Sequence, residues 1–365
     1  MIERVAPEDL DAVFDFAASL YADDAMWTPP LRIWERRRLA AALADPEHTQ
    51  LFAARRGGSI VGTLSVLRDH TFARRPEEKV AWFGYFECVD DPAVAEALFA
   101  AAAEVARGWG AHVIRGPRNL SRVEYVGLTV EGFSRLPPML QAHHRRYYPS
   151  LVTRAGLAYH HDVLAYETPL VCDGGPRPLP EKLVAKADGC DLPGLTFRRA
   201  YRRHLTRDLE AAHAVLNESY ATVPDVHPMP RATFLTLGRA LAWVADTELI
   251  QLAFVGDRGV GFAICIPEIN EALVRCRGRL APRELLRGWR TVETAAFKLI
   301  GVVPDLRGSG LHAAMIRQIV LGAQRAGYTR MDGSVIDERN KPMRGVVEGL
   351  GMTVYRRYRF YQREV

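Results

Sequence analysis

Arg307, Gly308, Ser309 and Gly310 follow an apolar run from Leu299 to Val303 and Pro304, and they precede a helical pattern with apolar residues at Leu311, Met315, Ile316, Ile319 and Val320. The order predicts a strand, a glycine turn and a helix. Glycine admits positive φ and close backbone approach, so the free N–H groups at a helix start can converge on an anion at the positive end of the dipole. Phosphate binding is the chemistry this spacing suits. The stretch has no Lys-Ser/Thr ending of a nucleoside-triphosphate loop, and it lies late in the chain rather than opening a dinucleotide-binding unit.

Other residues could move protons or hold charge. Glu268 ends a hairpin strand, Glu293 stands just ahead of the strand that leads to the glycine turn, and Tyr355 and Tyr358 lie on the last strand. Carboxylates can take a proton and phenols can give one. Lys298 has two readings, a cleft-facing cation for an anionic group or a strand lysine reaching solvent along its apolar stem. His227 sits in a proline-stiffened loop from Pro224 to Pro230. His143 and His144 are adjacent rather than at helical ligand spacing, and the five cysteines show no C-x-x-C pair, so no metal site and no disulfide framework is expected.

These residues need elements to position them. With 365 residues, 48% hydrophobic and 25% charged, the chain is expected to form two globular domains. The net charge of +5 is carried almost wholly by arginine, spread along the chain, which does not outline a nucleic-acid surface. The start of the chain has no apolar signal region and no run approaches a membrane span, so a cytoplasmic protein in a reducing compartment is expected.

The segment 171–194, rich in proline and glycine around Cys172 to Pro180 and Gly189 to Gly194, reads as a linker between two similar halves. Each half opens with a strand and an amphipathic helix. Each continues with a glycine-tipped hairpin, Leu51 to Arg55 with Ile60 to Val66, then Leu249 to Val255 with Val260 to Ile266. A strand and long helix follow, Ala81 to Val89 with Val94 to Trp109, then Ala295 to Val303 with Leu311 to Ala326. Each half closes with a short helix and a last strand, ending at Tyr166 and Tyr361. This is a duplication of element order.

The Arg307-x-x-Gly310 turn, the strand Met331 to Ile336, Asn340 and the ending Gly349-Leu350-Gly351-Met352 together resemble the GNAT (Gcn5-related N-acetyltransferase) superfamily. The stretches at 20–31, 83–91, 116–121, 278–282 and 355–361 are also similar to a bacterial group of tandem GNAT-like proteins. The resemblance implies an α/β fold of two tandem GNAT-like domains, each a mixed, mainly antiparallel sheet flanked by helices: 1–170 without a pyrophosphate loop, and 195–365 with an acyl-CoA site. Arg307, Gly308, Ser309, Gly310, Leu311 and His312 would form the pyrophosphate loop, Val302 and Val303 would pair with the pantetheine arm, and Asn340 would contact the coenzyme. His312 replaces the family's final small residue, and is expected to turn outward, to narrow the phosphate site or, if charged, to help hold phosphate.

The family's usual Glu base and Tyr acid fall at Ala296 and Val347, so Glu268, Glu293 and Tyr355 are the catalytic candidates. In the first half, Glu87 to Val94 stands where the loop would be, and its carboxylates oppose a pyrophosphate. Trp27 to Pro30, Arg118 to Ser121 and His143 to Tyr148 are expected to offer an acceptor wall. The implied function is an acyl-CoA-dependent N-acyltransferase, with acetyl-CoA or another acyl-CoA as co-substrate and a small amine as acceptor. The alternatives are an aminoacyl-tRNA-dependent transferase, with tRNA as partner, and a non-catalytic acyl-CoA-binding or scaffold protein. No membrane partner is expected.

Overall fold

In a computed structural model, residues 1–68, 79–120, 124–221, 229–242, 245–276, 283 and 291–365 are described. The first half contains β1 (Ile2–Arg4), α1 (Leu10–Leu20), α2 (Arg32–Leu43), β2 (Thr49–Arg56), β3 (Ser59–Arg68), β4 (Val80–Cys88), α3 (Pro92–Gly108), β5 (Val113–Gly116), β6 (Leu128–Glu131), α4 (Tyr148–Arg154) and β7 (Ala158–Pro169). A small hairpin, β8 (Val171–Cys172) with β9 (Gly175–Pro176), leads into α5 (Glu181–Asp188). The second half has β10 (Leu195–Arg199), α6 (Leu205–Tyr220), α7 (Arg231–Leu241), β11 (Ile250–Val255), β12 (Arg258–Pro267), α8 (Asn270–Cys276), β13 (Thr294–Val302), α9 (Leu311–Arg325), β14 (Arg330–Asp337), α10 (Lys341–Gly349) and β15 (Thr353–Glu364).

The duplication is visible in the pairing. β4 and β5 run parallel in the first half, β13 and β14 in the second, and the remaining neighbours are antiparallel. All strands but β8 and β9 belong to one sheet, ordered β1-β2-β3-β4-β5-β15-β7-β14-β13-β12-β11-β10, with β6 on β15. The last strand of each half therefore crosses over: β15 pairs with β5, and β7 pairs with β14. Two cores follow, one packing α3 and α4 on the first half's strands and one packing α6, α7 and α9 on the second's.

The segment 171–194, read as a linker or inter-domain strap, is largely exposed but carries a helix that packs on the second half. Its helix α5 buries Leu183 and Ala187 in the second core, because their spacing of four puts both on the face turned to α9. A loop of the first half also enters the second: Leu31, Met139 and Leu140 pack with Ile266, Ile269, Leu273 and Ala296. Among the described residues, no helix is long and apolar enough to cross a membrane, and no cluster of His, Cys, Asp and Glu could hold a metal ion.

Candidate active site

The parallel pairing of β13 with β14 lasts four residues, from Thr294 opposite Arg330 to Phe297 opposite Gly333. Beyond it the strands part. The antiparallel register with β12 also shifts there, with Ile264 opposite Leu299 but Cys265 opposite Phe297, which leaves Lys298 as a bulged residue. A bulge re-aims a side chain and ends regular pairing. Val303 N donates to Val260 O at 3.1 Å, so alternation turns the backbone groups of Ile300 and Val302 to the other edge of β13, where no described strand meets them. From Lys298 to Val303 the strand advances about 17 Å at the usual rise per residue.

At the far end of that edge the chain makes a 3-10 turn at Pro304–Leu306 and enters α9 through Gly308 (φ +83°) and Gly310 (φ +86°). Ser309 Oγ donates to Leu306 O at 2.7 Å, and Ala314 N to Gly310 O at 3.0 Å starts the helical ladder. The amides of the first turn thus lie at a positive helix end without an intrahelical acceptor. The Arg307 guanidinium donates to Ser219 O at the end of α6, pinning the loop from outside. His312 is half-buried; burial first, then the nearby Arg307, hold its imidazole below the ordinary range. A Cβ on Gly310 would lie 2.5 Å from Lys186 O, so the α5 segment fits only against glycine.

The matching place in the first half is closed from within. Val89 N donates to Val61 O at 3.0 Å, as Val303 does to Val260, which makes Cys88 the counterpart of Val302. Cys88 N donates to Tyr148 Oη at 3.0 Å and Tyr147 Oη donates to Cys88 O at 2.8 Å. Tyr148 and Tyr21 also donate to Glu87, at 2.6 and 2.8 Å, and burial pushes that carboxyl up to about 7. Asp91 caps α3 by accepting from Ala93 N at 3.0 Å. Tyrosines thus take the backbone groups of Cys88, whose counterparts on Val302 no described strand meets. His143 and His144 are tied into the protein: His143 joins Asp24 at 3.0 Å and Arg356 at 2.5 Å, and Thr129 N donates to His144 Nδ1 at 3.2 Å.

Where β13 and β14 part, polar side chains from both halves converge. Glu268 accepts from Met139 N at 2.6 Å and Asn270 N at 3.1 Å; burial pushes its carboxyl up to about 7, Asp332 adds to this and Lys298 opposes it. The Lys298 ammonium donates to Met139 O at 3.0 Å and to Ser334 Oγ at 2.9 Å, so the inward reading of this lysine holds. Tyr355 Oη donates to Asp332 at 2.6 Å. Asp332 is 3% exposed; burial raises its pKa despite Lys298, and its Oδ1 has no hydrogen-bond partner. Tyr358 Oη, fully buried nearby, has none either. The Arg135 guanidinium lies 5.2 Å over the Tyr355 ring and pairs with Glu167 at 2.9 and 2.5 Å.

Of the sequence-derived candidates, Glu268, Lys298 and Tyr355 meet in this cluster. Glu293 does not: it is exposed at the opposite end of β13, where its carbonyl accepts from Thr329 N at 2.9 Å. Asn340 is exposed and caps α10, its Oδ1 accepting from Met343 N at 3.2 Å. Asn119 accepts from Tyr85 N at 2.9 Å. His227, Ser121 and the stretch 278–282 lie outside the described residues. Asp332, Ser334 and the Met139 peptide were not foreseen, although two polar residues spaced by two on a strand, Asp332 and Ser334, do mark one face of it.

No family model matches the sequence. Protein YghO of Escherichia coli (strain K12) is 28% identical over 374 residues, covering 98% of this chain and 93% of that protein. The bacterial ceramide synthase of Caulobacter vibrioides is 30% identical over 373 residues, covering 98% of this chain and 95% of the relative. Among solved structures, a tandem GNAT protein from the clavulanic acid biosynthesis pathway matches with a TM-score of 0.55 at 14% identity, over 100% of this chain and 98% of that one. A GCN5-related N-acetyltransferase from Sphaerobacter thermophilus matches with a TM-score of 0.52 at 15% identity, over 100% and 95%. With its duplicated halves, glycine loop and parted parallel strands, the chain has the tandem GNAT-like fold, and it belongs to one family with the Caulobacter relative.

Proposed function

We propose that the protein is an acyl-CoA-dependent N-acyltransferase working in the gap between β13 and β14. The observation that carries this reading is the layout of that gap. A helix N-terminus suited to pyrophosphate stands at one end, a buried acid-base cluster at the other, and an open strand edge about 17 Å long joins them, comparable with an extended pantetheine arm. The amides of the α9 start would hold the pyrophosphate, Ile300 and Val302 would pair with the amides of the arm, and the thioester would reach Lys298. Glu268 would take the proton of the acceptor's ammonium. The amine nitrogen then bonds to the acyl carbon, the carbon–sulfur bond breaks with its electron pair leaving on sulfur, and the thiolate takes up a proton as the nitrogen sheds its second one, with the Tyr355 hydroxyl as a candidate relay between them.

For the acceptor, the ceramide synthase name of the Caulobacter relative supports a long-chain amino alcohol with a fatty acyl donor, since a ceramide is the amide of those two groups. Such an acceptor is larger than the small amine the sequence alone suggests. Thiol release by the full chain, measured with acetyl- and palmitoyl-CoA against a panel of short amines and a long-chain 2-amino-1,3-diol, tests the reading. Amide formation with one pair and its loss in Glu268→Gln support it. Acyl-CoA binding without thiol release across the panel favours a binding protein. A tRNA shift at low salt with no acyl-CoA binding favours the aminoacyl-tRNA reading.

A further inference from the structure

Lys298 is a misfit by simple rules, a lysine in the middle of a strand with its ammonium turned inward. The bulge at this residue turns the side chain toward the point where β13 and β14 separate. There the ammonium is held on two sides, by Met139 O from the first half at 3.0 Å and by Ser334 Oγ from β14 at 2.9 Å. An ammonium has three donors, and among the described residues these bonds use two. Beside it Asp332, two residues before Ser334 on the same strand, accepts from Tyr355 through one oxygen, and its Oδ1 has no hydrogen-bond partner among the described residues. A preorganised cation with one N–H left over, half-buried beside the buried Asp332, suits charge that develops on an oxygen.

Resting on the reading of the gap as an acyl-CoA site, we infer that Lys298 is a catalytic residue that donates its third N–H to the thioester carbonyl oxygen and stabilises the negative charge formed there as the amine attacks. Ser334 is a positioning residue for it. The cation explains why a site that accepts an amine carries a lysine at all: Glu268 handles the amine's proton, and Lys298 faces the opposite partner of the same bond-forming step. It also gives the first half a part in the chemistry, because the Met139 peptide binds Glu268 through its N–H and Lys298 through its carbonyl.

The test reads carbonyl polarisation directly, by isotope-edited infrared spectroscopy of palmitoyl-CoA carrying 13C at the carbonyl, bound to the full chain. The wild type is expected to lower the carbonyl frequency from its value in water, and Lys298→Met to return it close to that value while still binding palmitoyl-CoA. Ser334→Ala, which removes a holding group and keeps the charge, should give an intermediate shift, and guards against a Lys298→Met chain that does not fold. In turnover, Lys298→Met should lower kcat about 100- to 1,000-fold with little change in KM for the donor. Equal carbonyl frequencies in wild type and variants, with palmitoyl-CoA bound, overturn the role of Lys298 and leave the acyl-CoA site standing. Absence of palmitoyl-CoA binding to the wild type overturns both.

Discussion

Glu268 joins the candidate chemistry to a measurable pH response. Burial raises its carboxyl to about 7, so the base form appears only as pH climbs through neutrality. Acyl transfer should therefore rise with pH through about 7, and Glu268→Gln should lower kcat by roughly 100- to 1,000-fold and flatten that limb. Stability should move the other way. A carboxyl whose pKa is raised on folding supports the folded state below the ordinary carboxylate range and loses that support as pH rises through about 7. Urea titrations from pH 5 to 8 should show this decline in the wild type and a shallower one in Glu268→Gln. Glu268 and Tyr355 were legible as candidates because acids and phenols near a strand end are chemically visible. Asp332 was not, since nothing local in Met331-Asp332-Gly333-Ser334 shows that a neighbouring strand will bury the carboxylate. Glu293 was close in sequence to the right strand but at its wrong end.

The loop and the α5 helix make a test at the level of elements. Gly308 and Gly310 both have positive φ, but a Cβ on Gly308 meets nothing within 4 Å while one on Gly310 meets Lys186 O at 2.5 Å. Gly308→Ala should cost about 1–2 kcal/mol, the ordinary penalty for a left-handed residue. Gly310→Ala should cost more, because α5 must also move, and should weaken coenzyme A binding; melting curves and calorimetry measure the two effects. The hairpins, the long helices α3 and α9 and the glycine turn were readable from local pattern. The packing of α5 was not, because its Pro- and Gly-rich flanks suggest an exposed strap, whereas Leu183 and Ala187 give it an apolar face.

For the whole molecule, the exchanged strands decide how the halves behave. Residues 1–170 alone would leave β5 without β15 and β7 without both neighbours, while residues 171–365 would leave β14 and β15 without β7. Unpaired edges invite aggregation. Each half expressed alone should be insoluble or aggregated, and the two co-expressed should purify as one complex; two soluble monomeric halves would contradict this. The sequence could not show the exchange, since Thr353 to Glu364 reads as a strand whichever partner it takes.

The central claim is that one of the two duplicated clefts, the one between β13 and β14, takes the coenzyme, while tyrosines fill the other. Hydrogen exchange of the full chain with and without coenzyme A tests it most directly. Protection is expected in peptides covering residues 300–314, with no change over residues 86–95. Protection over 86–95, or none over 300–314 at saturating coenzyme A, would contradict it.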